Sequence, residues 1–193
     1  TGKLAKLGGN AKPATLMFAK FSPDGSRVGY VRENDLYVED AATGKITRLT
    51  NNGSHTMING TSDWVNEEEF DLRDCWRWSP DGRSIAFWQF DASGIEDFIL
   101  LNNTTGLYPT LTRIPYPKTG TKNAAVRVGV VSAGGGTVHW LDTPGDPRNN
   151  YIVSVDWANP NEVFLQHFNR LQNTLQVLVA DAKTGKARSI LTE

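Results

Sequence analysis

Three consecutive carboxylates, Glu67, Glu68 and Glu69, close the stretch Ser62-Asp63-Trp64-Val65-Asn66-Glu67-Glu68-Glu69-Phe70. Neighbouring carboxylates repel one another, and a site that holds them together is costly unless a cation neutralises it. A primary ammonium is a suitable guest, because each of its three donors can make a charge-assisted hydrogen bond to a carboxylate oxygen. A peptide α-amino group titrates at about 7.7 to 8.0, so at neutral pH it is mostly the required cation. Glu68 and Glu69 could therefore grip a free peptide N-terminus. The same residues have a plainer reading, since an acidic first turn is a common way to start a helix. Calcium fits less well, because consecutive glutamates lack the spaced oxygen ligands of a calcium loop.

Other chemistries find no support in the residue pattern. A serine hydrolase of the α/β type carries its nucleophile on a Gly-x-Ser-x-Gly elbow. The nearest approach, Val130-Val131-Ser132-Ala133-Gly134, has Val where the first Gly should stand. His55, His139 and His167 are far apart, and no pair has the i, i+4 spacing of a helical zinc site. Each is expected to be a surface or half-buried histidine. Cys75 is the single cysteine, which rules out an intrachain disulfide and any multi-cysteine metal site. No catalytic residue, metal ligand or cofactor is assigned to this chain, which should not hydrolyse anything by itself.

The elements that must position the acids are mostly strands. Ser62 or Asp63 can cap a short helix near 63–70, with the glutamates expected in its first turn. Around it, Phe21-Ser22-Pro23-Asp24-Gly25 and Trp78-Ser79-Pro80-Asp81-Gly82 are two copies of one turn, and Trp157-Ala158-Asn159-Pro160-Asn161 is a degenerate third. The segments after them, Arg27–Val31, Ser84–Trp88 and Glu162–Leu165, are short, aromatic and β-branched. Thr1-Gly2-Lys3, Thr43-Gly44-Lys45 and Thr184-Gly185-Lys186 mark a second repeated hairpin turn. Gly134-Gly135-Gly136 occupies the same place in the middle unit.

These repeats predict an all-β partial propeller of about three four-stranded antiparallel blades. The blades are placed at 14–50, 56–145 and 149–193, with residues 1–7 as the last strand of a preceding blade. An excursion at 92–122 in the middle unit reads as a projecting β-hairpin arm. Three blades cannot close a ring, so the sequence is expected to be an excerpt from a longer protein.

Bulk properties narrow the partners. The 193 residues carry 20 basic and 21 acidic side chains, a formal net charge of -1, so no field favours nucleic acid or an anionic membrane. No apolar run is long enough to span a bilayer, and no export signal is recognisable at the N-terminus.

Taken in order, Asp63-Trp64-Val65-x-Glu67-Glu68-Glu69, Trp78-Ser79-Pro80-Asp81-Gly82 and Ile114-Pro115-Tyr116-Pro117-Lys118 resemble the N-terminal propeller domain of dipeptidyl peptidase IV, in the prolyl oligopeptidase family of serine peptidases. The resemblance runs over nearly the whole chain. It implies that Glu68 and Glu69 bind the substrate's N-terminal ammonium, with Glu67, Asp63 and Trp64 in support, while an α/β-hydrolase domain outside this chain releases N-terminal dipeptides. A second residue of Pro or Ala, homodimerisation through the 92–122 arm, and a periplasmic, secreted or membrane-anchored parent protein are implied in the same way. The family commonly has Tyr where this chain has Asn66, and its further amine-site Arg lies upstream of residue 1. The alternative, from a different class, is a non-catalytic propeller serving as a protein-binding scaffold whose Glu triplet only starts a helix.

Overall fold

The computed structural model describes residues 4–193. Apart from one short helix the regular structure is antiparallel strand, arranged as three successive blades and a two-stranded arm. The first blade pairs β1 (Leu16–Phe21), β2 (Arg27–Arg32), β3 (Asp35–Asp40) and β4 (Ile46–Arg48) in sequence order. The third does the same with β12 (Asn150–Asn159), β13 (Glu162–Asn169), β14 (Leu175–Asp181) and β15 (Ala187–Thr192).

The middle blade departs from this plan on one edge. Its centre pairs β7 (Ser84–Asp91) with β10 (Ala125–Ser132) residue for residue, and β10 pairs in turn with the short β11 (His139–Trp140). Along the other edge of β7 lie two short strands, β5 (Met57–Asn59) opposite Gln89–Asp91 and β6 (Trp76–Trp78) opposite Ile85–Phe87. The edge strand is therefore one strand cut in two. The intervening residues leave the sheet and carry the helix α1 (Trp64–Phe70). The arm, β8 (Asp97–Asn102) paired with β9 (Thr110–Pro115), is inserted between β7 and β10.

The repeated turns have a local cause. In the first, the Ser22 hydroxyl donates to Asp24 (2.6 Å) and the Gly25 amide to the Ser22 carbonyl (2.8 Å). Ser79, Asp81 and Gly82 repeat both bonds at 2.7 and 2.9 Å. Asp40 accepts from the amide and hydroxyl of Thr43, and Asp181 does the same for Thr184. A side chain that satisfies backbone donors two or three residues onward fixes a turn with no help from the rest of the fold.

Packing then explains the composition of β7. Its residues Ile85 to Phe90 are all buried, because the blade is sandwiched between its neighbours. Alternate side chains serve opposite cores. Ala86, Trp88 and Phe90 pack with Ile152, Val155, Val163 and Leu165 of the third blade, while Ile85 and Phe87 meet Val31, Leu36 and Val38 of the first. Removing each large side chain from water contributes about 1.5–3 kcal/mol. Trp88 also donates its indole N–H to the Ile152 carbonyl at 2.7 Å, so the joint between the second and third blades is hydrogen-bonded as well as packed. On the other side, Lys20 of β1 reaches the Asp74 carboxylate and the Trp76 carbonyl, tying the first blade to the end of the helical excursion.

The expected blade edge at residues 1–7 is not found among the described residues. Residues 1–3, including the Thr1-Gly2-Lys3 copy of the turn, lie outside them, and residues 4–7 form no strand. No helix among the described residues is long and apolar enough to cross a membrane.

Candidate functional site

The excursion between β5 and β6 is pinned at its neck. The Gly60 amide donates to the Trp88 carbonyl (3.0 Å) and the Cys75 amide to the Gly60 carbonyl (3.1 Å), so the chain leaves and rejoins the sheet at one point. Gly60 has φ of +74°, and a Cβ there would lie 2.8 Å from Leu36 Cδ2, so the exit needs glycine for conformation and for space.

Helix α1 is capped by Asp63 rather than Ser62. The Asp63 carboxylate accepts from the Asn66 amide at 3.2 Å and from the Asn66 side-chain Nδ2 at 2.7 Å. Asp63 is only 5% exposed, and burial raises its pKa despite these bonds. Its role is to start the helix. Asn66, standing where the resembling family commonly has Tyr, is buried and closes this cap from within. At the other end Asp71 adopts a left-handed conformation, φ 53° and ψ 30°, and the Leu72 amide returns to the Asn66 carbonyl.

The three glutamates do not share one environment. Only Glu67 falls in the first turn, where the helix dipole favours it, because the helix begins at Trp64. Glu67 is also engaged, by Arg73 at 2.7 Å. Glu68 and Glu69 are exposed, and among the described residues neither has a cationic partner within 4.0 Å. Glu69 lines a cleft of about 1060 Å³ whose walls include Trp64, Tyr116, Tyr151, Lys118 and Arg170.

Aromatic contacts hold the helix over that cleft. Trp64 packs on Tyr116 with ring centroids 4.1 Å apart, and Tyr116 in turn on Phe98 at 5.5 Å, so one end of the helix rests on the base of the arm. Phe70 packs on Tyr151 of the third blade at 4.9 Å. Trp64 thus anchors this end of the helix through packing. Tyr151 and Arg170 come from the third blade and line the same cleft as Glu69 only on folding. The loop Asn169–Asn173 contributes Arg170 and Gln172 to the cleft wall.

The histidines remain apart. His55 is exposed and contacts Asp97 at 2.7 Å, and His139 is exposed. His167 departs from the expectation of a surface or half-buried residue. It is 5% exposed, its Nε2 has no hydrogen-bond partner, and burial lowers its pKa against a bond to the Pro144 backbone. Its position on β13, on the same face as the core residues Val163 and Leu165, is what buries it. Among the described residues no three His, Cys, Asp or Glu side chains are placed to share a metal ion.

Residues 2–193 match the model of the dipeptidyl peptidase IV (DPP IV) N-terminal region. Dipeptidyl aminopeptidase B of Saccharomyces cerevisiae is 34% identical over 86% of the chain, and inactive dipeptidyl peptidase 10 of Rattus norvegicus is 32% identical over 89%. The crystal structure of Porphyromonas gingivalis dipeptidyl peptidase 4 superposes with a TM-score of 0.85 at 29% identity, covering 92% of the chain. The match spans 22% of each of the first two proteins and 26% of the third. By the extent of these matches, the chain belongs to the family of dipeptidyl peptidase IV N-terminal regions.

Proposed function

We propose that this chain is the substrate-anchoring part of a serine-type dipeptidyl peptidase, in which Glu68 and Glu69 hold the free N-terminal ammonium of a peptide. The observation that carries the reading is the division of labour within the triplet. Glu67 is neutralised by Arg73, whereas among the described residues Glu68 and Glu69 are unpaired, on a helix clamped at both ends with Glu69 lining the cleft. Unpaired acids held in place are ready to accept a cation without reorganising. The hydrolase domain would lie elsewhere in the same polypeptide. With the head of the peptide fixed and an extended residue spanning about 3.3–3.6 Å, the bond about 7 Å along meets a nucleophile set at that distance. Dipeptides are the product, with Pro or Ala as the second residue. The exposed apolar side chains of the arm, among them Phe98, Ile99, Leu101 and Tyr108, would pair two copies. The parent protein would work in the periplasm or outside the cell.

A second reading, a non-catalytic propeller that binds proteins, is favoured by the inactive relative at nearly the same identity as the aminopeptidase. The two differ in chemistry supplied from outside this chain. The test uses the full-length protein and a dipeptidyl substrate with a free or an acetylated N-terminus. Glu68→Gln and Glu69→Gln each remove a charge-assisted bond of about 1.5–3 kcal/mol, so kcat/KM should fall about 10- to 100-fold, and acetylation should act likewise. Equal turnover of blocked and free substrate, or undiminished activity in both variants, rejects the anchor. Failure of a serine-directed fluorophosphonate to label the protein selects the scaffold reading.

A further inference from the structure

Beyond holding an ammonium, the cleft carries charge of the opposite sign. Of the side chains that line it with Glu69, only Lys118 and Arg170 are also charged. Among the described residues Lys118 has no carboxylate within 4.0 Å, and neither cation pairs with Glu69. Acid and bases therefore share one cavity without forming an ion pair. Arg170 donates one N–H to the Thr121 carbonyl at 2.7 Å, which fixes the guanidinium and leaves its other donors free.

The basic side continues past the cleft. An adjoining cavity of about 530 Å³ shares Tyr116, Lys118 and Arg170 with it and adds Lys122. Its acids do not cancel these cations, since Asp97 is already paired with His55 at 2.7 Å and faces Arg113 at 3.9 Å, leaving Glu96 against three bases.

We infer that Lys118 and Arg170 make the cleft selective for a carboxylate on the first side chain of the bound peptide. The inference rests on the ammonium-anchoring role proposed for Glu69. A peptide beginning with Glu or Asp presents, within one residue, a cation for the acids and an anion for the bases, and so satisfies both walls at once. A first residue with a cationic side chain meets like charge on the second wall. The exposure of Lys118 keeps the preference modest, about three- to tenfold.

The measurement is calorimetric titration of the full-length protein with peptides whose second peptide bond is replaced by a non-cleavable alkene, so that binding is read without turnover. At low salt, the peptide beginning Glu-Pro should bind about three- to tenfold more tightly than its Gln-Pro counterpart. The ratio should shrink as salt is raised. It should fall to near one in the Lys118→Gln, Arg170→Gln double variant and survive in Lys118→Arg. Lys118→Gln alone, at an exposed position, should lower the ratio without touching the Arg170 contact to Thr121. No Glu preference in the unaltered protein, or equal weakening of both peptides in the variants, overturns the inference, the latter because it assigns the cations to backbone contact or to folding. Acetylated versions of both peptides read the anchor separately. If they bind as well as the free ones, the role of Glu69 fails, whereas the Glu-to-Gln ratio reports only on Lys118 and Arg170.

Discussion

Replacing Asp63 by Ala tests whether the acids function because the helix beneath them is held rigid. Two losses follow from the geometry. The Asn66 amide loses its cap, which costs about 0.5–2 kcal/mol. The buried Asn66 side chain also loses the acceptor of its 2.7 Å bond, and an orphaned buried donor costs about 1–3 kcal/mol. Against these, Asp63 carries a desolvation cost in the folded state that the substitution removes. A net local loss of about 2 kcal/mol corresponds to about a thirtyfold rise in the population of the opened helix. Hydrogen exchange of the peptide covering residues 62–72 in the full-length protein reads this directly, and kcat/KM on a free-amine substrate reads its consequence. Asp63→Ala should accelerate exchange and depress kcat/KM. Asp63→Asn, which keeps a good capping side chain, should restore much of both. Glu68→Gln should depress kcat/KM with exchange unchanged. Unchanged exchange in Asp63→Ala would refute the argument that this cap holds the acids.

Two further outcomes concern the frame. Gly44 and Gly185 occupy the same turn with φ of +69° and +79°, but a Cβ at Gly44 meets nothing within 4 Å, whereas at Gly185 it would lie 2.2 Å from the Trp140 carbonyl oxygen. Gly44→Ala should cost about 1 kcal/mol from backbone strain, and Gly185→Ala at least about 2 kcal/mol more, measured as denaturant midpoints of the full-length protein. His167 has its folded pKa lowered from 6.5 by burial. Its contribution is present above pH 6.5 and is lost as pH falls through 6.5 toward the lower folded value, because the unfolded chain takes up the proton first. The melting temperature should therefore drop between pH 7 and 5, with a smaller drop in His167→Gln. An unaltered slope would show that other groups set the acid sensitivity.

What could be read from the chain follows the range of the forces involved. The Ser-Pro-Asp-Gly and Asp-x-x-Thr-Gly-Lys turns are legible because their hydrogen bonds join residues only two to four apart. The strands after them, the arm and the presence of a helix at the acids are legible for similar reasons of local pattern. Asp63 and Ser62 were both sensible caps, and nothing within the stretch separates them. The choice is made by burial of Asn66 against the rest of the molecule, and it brings Glu67 into the first turn while Glu68 and Glu69 lie beyond it.

The site itself is a product of distant contacts. That one edge strand is cut into β5 and β6 depends on both pairing with β7, up to 34 residues away in the register Met57 with Asp91. The pairing of Glu67 with Arg73, the seat of Trp64 on Tyr116 and the arrival of Arg170 in the cleft lined by Glu69 have no local signature. The sequence by itself determined that three adjacent acids would sit on a short helix and that turns would fold the chain into blades. Tertiary structure decided that Glu67 is spent internally, that Glu69 lines a cleft, and which residues share that cleft, because burial and Coulomb contacts act between whatever residues the packed blades bring together.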